Sequence, residues 1–115
     1  HFEPESTMEP QEQRKLRTQL EQIDYAAFAA NREIIGKSLQ VADLARIERL
    51  AIAAAHARAD WVSAALNLAE TGRHVSAEEG EKLHGLRQTY EELAEAYEAL
   101  RRMVERSYLP LKGKV

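Results

Sequence analysis

The stretch SAEEGEKLHGLRQTYEELAEAYEALRRMV, residues 76–104, decides the fold class of this chain. Its large apolar residues recur at alternating steps of three and four, which places them on one face of a helix. They are Leu83, Leu86, Tyr90, Leu93, Tyr97, Leu100 and Val104. Ser76 and Glu79 have the spacing of a capping box, and acidic residues begin the stretch whereas arginines end it, as the helix dipole favours. We therefore predict a long amphipathic helix that begins at Ser76 and ends before Pro110.

The stretch that precedes it, from about Leu39 to Glu70, carries two apolar stripes at helical spacing. The inner stripe consists of Ile47, Ala51, Ala54, Trp61, Ala65 and Leu68. The outer stripe consists of Ile52, Ala55, Ala59, Val62, Leu66 and Ala69. A helix that is apolar over most of its circumference is normally buried on two sides. We therefore predict that this helix is central and packs against two others, and that Gly72 ends it.

The first helix is predicted from Pro10 onward, because proline suits a first helical turn and Ser6 and Glu9 form a possible capping box. Its apolar residues follow steps of four and three, and we call them the first stripe. They are Leu16, Leu20, Ile23, Ala27, Ala30 and Ile34. Gly36 is the predicted stop of this helix.

Together these patterns predict an all-α protein, an antiparallel up-down-up bundle of three long amphipathic helices that is able to dimerise. The predicted domain covers residues 9–109, residues 1–8 are a disordered tail or an expression remnant, and residues 110–115 are a C-terminal tail. No sustained alternation of apolar and polar residues indicates a strand.

Composition narrows the class of function. The chain contains no cysteine, which excludes disulfides and thiolate chemistry. Its net charge of −3 argues against binding to nucleic acid, which requires a basic surface. No run of 18 apolar residues and no signal segment are present, so we expect a cytoplasmic protein without a membrane partner.

The chemistry of single residues predicts no enzyme, no cofactor and no metal site. Ser63 and His56 lie two turns apart on one helix, too far for a hydrogen bond. Glu81 and His84 have the Glu-x-x-His spacing of di-iron bundles, but only one such motif is present where two are needed. A metal-binding or redox bundle built on Glu81 and His84 is one alternative. A nucleic-acid-associated protein that uses the basic end between Arg101 and Lys114, and a sensor with a ligand between its helices, are two others.

The remaining candidates point to protein–protein contacts. Tyr25, Phe28, Arg32 and Ile35 share a face of the first helix that differs from the first stripe, and we call them the aromatic patch. An exposed apolar patch on a soluble protein suggests a partner surface. The sequence therefore predicts a small regulatory or adaptor protein that binds another protein and forms a homodimer. Arg58 lies within the inner stripe and either forms an ion pair across the seam, with Asp24 or Glu95, or extends to the solvent.

Overall fold

Three helices and two very short strands make up the chain in a computed structural model, which describes residues 8–40 and 42–113. The order is α1 (Pro10–Leu39), β1 (Ala42–Asp43), α2 (Leu44–Glu70), α3 (Ala77–Glu105) and β2 (Leu111–Lys112). The predicted all-helical class is confirmed. None of the described helices is long and apolar enough to cross a membrane. The chain divides into two units, His1–Gln40 and Val41–Val115.

The first unit contains helix α1, which begins at Pro10 as predicted but continues past Gly36 to Leu39. Gly36 lies inside the helix, and its carbonyl accepts the Gln40 amide at 2.7 Å. The prediction that Gly36 ends the helix is therefore wrong, since the left-handed residue after the helix is Gln40, with φ 66° and ψ −80°. Ser6, the expected cap, lies outside the described residues, and Glu9 is the N-cap without a side-chain bond.

The second unit is a hairpin of α2 packed on α3. Trp61 near the middle of α2 stacks on Tyr90 near the middle of α3. Ala42, just before α2, pairs with Leu111, just after α3. The two helices therefore run in opposite directions. The side chains on the facing sides are mostly half-buried, with Ala57 the most covered residue of α2 at 8% exposed.

The turn between α2 and α3 follows the sequence signals closely. Gly72 has φ 72°, a value that glycine adopts without steric cost. The Ser76 hydroxyl accepts from the Glu79 amide at 3.1 Å, and the Glu79 carboxylate accepts from the Ser76 amide at 3.0 Å. These two bonds satisfy amides that a helix start leaves unpaired, so the predicted capping box is confirmed.

The far end of the hairpin is closed by the residues after α3. The Tyr108 amide bonds to the Met103 carbonyl at 2.8 Å, with Ser107 at φ 63°, which is the Schellman arrangement at a helix end. The chain then reverses, so that β2 runs parallel to β1. Leu109, in this closing segment, is only 1% exposed. The segment expected as a C-terminal tail therefore supplies a strand as far as Lys112.

Within the second unit, α3 covers one side of α2. The large residues of the outer stripe are 44–58% exposed, whereas the inner stripe faces α3. They are Ile52, Val62 and Leu66. The three-helix arrangement predicted from the two stripes therefore remains a prediction, and α3 leaves the outer stripe of α2 exposed.

Candidate interaction surfaces

The aromatic patch lies on α1, and its four members recur at steps of three, four and three, so they share one side of the helix. Tyr25 is 71% exposed, Arg32 is exposed, and Phe28 and Ile35 are half-buried. The guanidinium carbon of Arg32 lies 6.0 Å from the centroid of the Phe28 ring, a cation–π contact one helical turn apart. This contact holds the arginine side chain over the ring and keeps a tyrosine, a phenylalanine and a cation together on one surface.

No residue of α1 is fully buried. Leu20, Ile23 and Ile34 of the first stripe are 46–63% exposed, on a different side of the helix from the aromatic patch. Amphipathic helices in proteins gain most of their stability from packing of their apolar face rather than from helix propensity. Helix α1 therefore presents two apolar surfaces that other side chains can cover.

A ladder of four side chains crosses the seam between α2 and α3. Arg58 lies over the Tyr90 ring, with its guanidinium carbon 4.9 Å from the ring centroid. Tyr90 stacks on Trp61 with ring centroids 5.8 Å apart and planes inclined by 19°. Arg87 lies 5.8 Å from the centroid of the Trp61 ring on the α3 side. The four side chains therefore come alternately from α2 and α3, with the two aromatic rings in the middle and an arginine at each end. Each contact contributes on the order of 0.5–1 kcal/mol at such exposed positions.

Arg58 also donates a hydrogen bond to the Tyr90 hydroxyl. Ion pairs within residues 42–113 join Arg73 to Glu79 and Arg87 to Glu91, and neither involves Arg58. The partner of Arg58 on this seam is therefore an aromatic residue, which supplies both an acceptor and a π face. Sequence reasoning selected Arg58 but missed Arg87, although Arg87 precedes Tyr90 by one helical turn and could have been placed beside it.

A groove of about 430 Å³ lies next to the ladder, between the first half of α2 and the second half of α3. Its lining combines small residues with polar groups. It is formed by Ala51, Ala54, Ala55, Arg58, Tyr90, Ala94, Tyr97 and Glu98. The groove is open to solvent, and Arg58 and Glu98 bring opposite charges to it. An alanine-lined groove of this kind can accommodate apolar side chains of another helix.

The turn before α3 contains a bidentate ion pair between Arg73 and Glu79. Arg73 donates to both Glu79 oxygens, with Nη1 to Oε1 at 2.7 Å and Nη2 to Oε2 at 2.5 Å. The Arg73 hydrogen bond, followed by the Ser76 amide, lowers the pKa of Glu79 to about 2 from its ordinary value of 4.5. The same carboxylate raises the pKa of Arg73. The role of Glu79 is therefore structural: its carboxylate stabilises the turn through Arg73 and the start of α3 through the Ser76 amide.

The described residues of the alternative metal site and of the alternative basic site are exposed on α3 and at its end. Glu81 and His84 are exposed on α3, and no group of three potential metal ligands occurs among the described residues. Arg101, Arg102 and Arg106 are exposed near the end of α3, whereas Lys114 lies outside the described residues. In the part of the chain that the structure describes, neither set comes with a second feature, such as interleaved aromatic side chains or converging carboxylates, that would favour nucleic acid or a metal.

The chain matches no protein-family model, and no curated protein or solved structure is significantly similar to it. Any function must therefore be argued from the surfaces themselves.

Proposed function

We propose that this chain is a non-enzymatic helical protein of the regulatory or adaptor kind, which acts through protein–protein contacts and associates as a homodimer through the aromatic patch of α1. The observation that carries the proposal is the 71% exposure of Tyr25 beside Phe28 and Arg32. Tyrosine and arginine are enriched among the residues that contribute most to binding at protein interfaces. Large aromatic side chains in an apolar patch on a surface commonly mark such an interface.

The character of α1 supports this role. A helix of 30 residues without a fully buried side chain has much to gain from a partner. A two-fold pair places the same patch on both copies, so that Tyr25 of one chain and Arg32 of the other can meet. Arginine over an aromatic face is a favourable contact of this type, worth about 0.5–2 kcal/mol depending on how far water is excluded.

The test compares two substitutions of equal charge on α1. Tyr25→Asp introduces a carboxylate into the aromatic patch, and Gln22→Asp introduces one at an exposed position outside both the patch and the first stripe. We expect the wild-type protein and Gln22→Asp to have twice the mass of one chain by light scattering after size exclusion. Tyr25→Asp should have the mass of one chain at the same concentration.

Two results would contradict the proposal. A Tyr25→Asp protein that remains dimeric would exclude the aromatic patch as the interface. A wild-type protein with the mass of one chain at every concentration would exclude the homodimer. Circular dichroism of both variants serves as the control that α1 remains helical.

A further inference from the structure

Glu21 extends the aromatic patch of α1 by one turn of the helix. It lies four residues before Tyr25, a step that places two side chains on the same side of a helix. Alternating steps of four and three continue the patch in both directions, and we call the complete row the long face. It consists of Arg14, Thr18, Glu21, Tyr25, Phe28, Arg32, Ile35 and Leu39. The long face extends over about 38 Å, at ~1.5 Å per residue.

The long face carries opposite charges on the two sides of its aromatic pair. Glu21 precedes Tyr25 by four residues, and Arg32 follows Phe28 by four residues. Both charged side chains are exposed. Among the described residues, Glu21 forms no ion pair within its own chain. A carboxylate and a guanidinium therefore lie at equal distances from the centre of the patch, on one face of one helix.

These charges discriminate between the two directions in which α1 of a second copy can lie on the long face. In parallel order each residue meets its own copy, so Glu21 would face Glu21 and Arg32 would face Arg32. Like charges placed opposite each other at an interface are unfavourable. In antiparallel order the negative end of one long face meets the positive end of the other. Charge complementarity therefore favours the antiparallel pair.

The charges and the rings also select the register of the antiparallel pair. If the two-fold axis passes between residues 26 and 27, Tyr25 lies opposite Phe28 of the second copy, and Glu21 lies opposite Arg32. The two outer layers pair Thr18 with Ile35 and Arg14 with Leu39. Each layer occurs twice about the axis. Aromatic rings then meet at the centre, with an ion pair on each side of them.

The two neighbouring registers, each shifted by one heptad, lack this complementarity. One of them places Arg14 opposite Arg32, which brings like charges together. The other places Glu21 opposite Leu39, which leaves the carboxylate against an apolar side chain. Of these three registers, the one centred between residues 26 and 27 is therefore favoured.

The positions that flank the long face are compatible with this register, since none of them brings like charges together. The flanking pairs are Lys15 with Gly36, Gln22 with Ala29, Arg17 with Ser38, and Asp24 with Asn31. The amide of Asn31 is a hydrogen-bond donor that suits the carboxylate of Asp24.

We therefore propose that the homodimer is an antiparallel pair of α1 helices, in which Glu21 of each chain forms an ion pair with Arg32 of the second copy, beside paired Tyr25 and Phe28 rings. This inference rests on the proposed homodimer and shares its two-fold axis. It adds Glu21 as the residue that, together with Arg32, selects the direction and the register of the pair.

Charge reversal tests the ion pair. Glu21→Arg places two arginines opposite each other at both ends of the aromatic pair, and Arg32→Glu does the same with two glutamates. Each should raise the Kd of the dimer, measured by sedimentation equilibrium, by at least about tenfold, because two ion pairs become two repulsive pairs. The double variant Glu21→Arg with Arg32→Glu restores opposite charges in antiparallel order, and its Kd should return to within about threefold of wild type.

Glu33→Arg is the matched control, because Glu33 is exposed and lies outside the long face. Its Kd should stay within about threefold of wild type. Circular dichroism of every variant checks that α1 remains helical. A double variant that dimerises no better than the two single variants would overturn the ion pair between Glu21 and Arg32.

The absence of cysteine makes the direction of the pair measurable by disulfide formation. A chain carrying Thr18→Cys is mixed with a chain carrying Ile35→Cys, and the mixture is oxidised in air. We expect a disulfide between positions 18 and 35 in a product of twice the chain mass. Thr18→Cys alone is the control, because antiparallel order separates its two cysteines by about 25 Å, whereas a disulfide requires Cβ atoms about 4 Å apart. Efficient linkage of position 18 to itself would show parallel order and overturn the proposal.

The failure of this inference can be distinguished from the failure of the proposed homodimer. If the wild-type protein is dimeric and Tyr25→Asp is monomeric, but Glu21→Arg leaves the Kd unchanged, the aromatic patch stands and the antiparallel register is wrong. If Tyr25→Asp remains dimeric, both the patch and the register are wrong.

Discussion

Replacement of Leu109 by alanine is the most direct test of how the α2–α3 hairpin is closed. Leu109 is 1% exposed and is the one large side chain that is fully buried among the residues described. It lies between the Schellman turn that ends α3 and the strand β2. Pro110, the residue after Leu109, accepts a hydrogen bond from the Ala42 amide at 2.9 Å. The Leu109 side chain is therefore buried where the two ends of the hairpin meet.

The expected loss follows from burial. Leucine to alanine removes three carbons, which corresponds to about 2.4 kcal/mol at ~0.8 kcal/mol per buried carbon. The cavity left behind adds to this, so that Leu109→Ala should cost about 2–5 kcal/mol. Leu111→Ala is the matched control, since Leu111 is 47% exposed. Its loss should be only about 1 kcal/mol, because roughly half of the side chain is already in water.

The assay is reversible urea unfolding followed by the fluorescence of Trp61, the only tryptophan, which lies in the unit being tested. A unit of this size has a total stability of about 4–11 kcal/mol, so the loss at Leu109 should lower the midpoint strongly at constant slope. Equal losses for Leu109→Ala and Leu111→Ala would refute the reasoning, because they would show that the closing segment contributes no more than an exposed strand.

Three further outcomes are expected. Glu79→Gln should reduce stability above pH 4.5, and its difference from wild type should vanish as the pH falls from 4.5 towards 2, because the pKa of Glu79 is lowered to about 2 and the ion pair with Arg73 is lost on protonation. Thermal unfolding across this pH range measures the effect, and a pH-independent difference would contradict it; Glu78→Gln is the control. Gly85→Ala should stabilise α3 by about 0.5–1 kcal/mol. Gly72→Ala should destabilise the hairpin, since Gly72 has φ 72°. Urea unfolding distinguishes the two variants, and effects of the same sign would contradict the left-handed conformation of Gly72. Tyr90→Phe should cost about 0.5–1.5 kcal/mol through loss of the hydroxyl that accepts from Arg58, and an unchanged urea midpoint would mean that this bond contributes nothing.

The sequence by itself determined the helices and most of their ends. The three-and-four spacing of apolar residues fixes α3, and local hydrogen bonds at Ser76 and Glu79 fix its start, because these signals act within one or two helical turns. Gly72 ended α2 for the same local reason. The stop expected at Gly36 failed, since glycine is tolerated within a long helix at a cost of only about 1 kcal/mol.

The candidate surfaces were only partly accessible from the sequence. The aromatic patch could be listed from its spacing, Tyr25 within it is 71% exposed, and its role as an interface stays a prediction. Arg58 was selected for its place in an apolar stripe, but its partner could not be chosen, because Tyr90 is 32 residues away and becomes a neighbour only when the hairpin forms.

Only the tertiary structure decided which stripe of α2 is covered and what closes the hairpin. Both stripes are equally apolar in the sequence, yet α3 covers the inner one and leaves Ile52 and Leu66 of the outer one exposed. The pairing of Ala42 with Leu111 joins residues at opposite ends of the hairpin, and strands of two residues leave no periodic signal. Local pattern sets secondary structure because its hydrogen bonds are made between near neighbours in the chain, whereas burial depends on which distant surfaces meet.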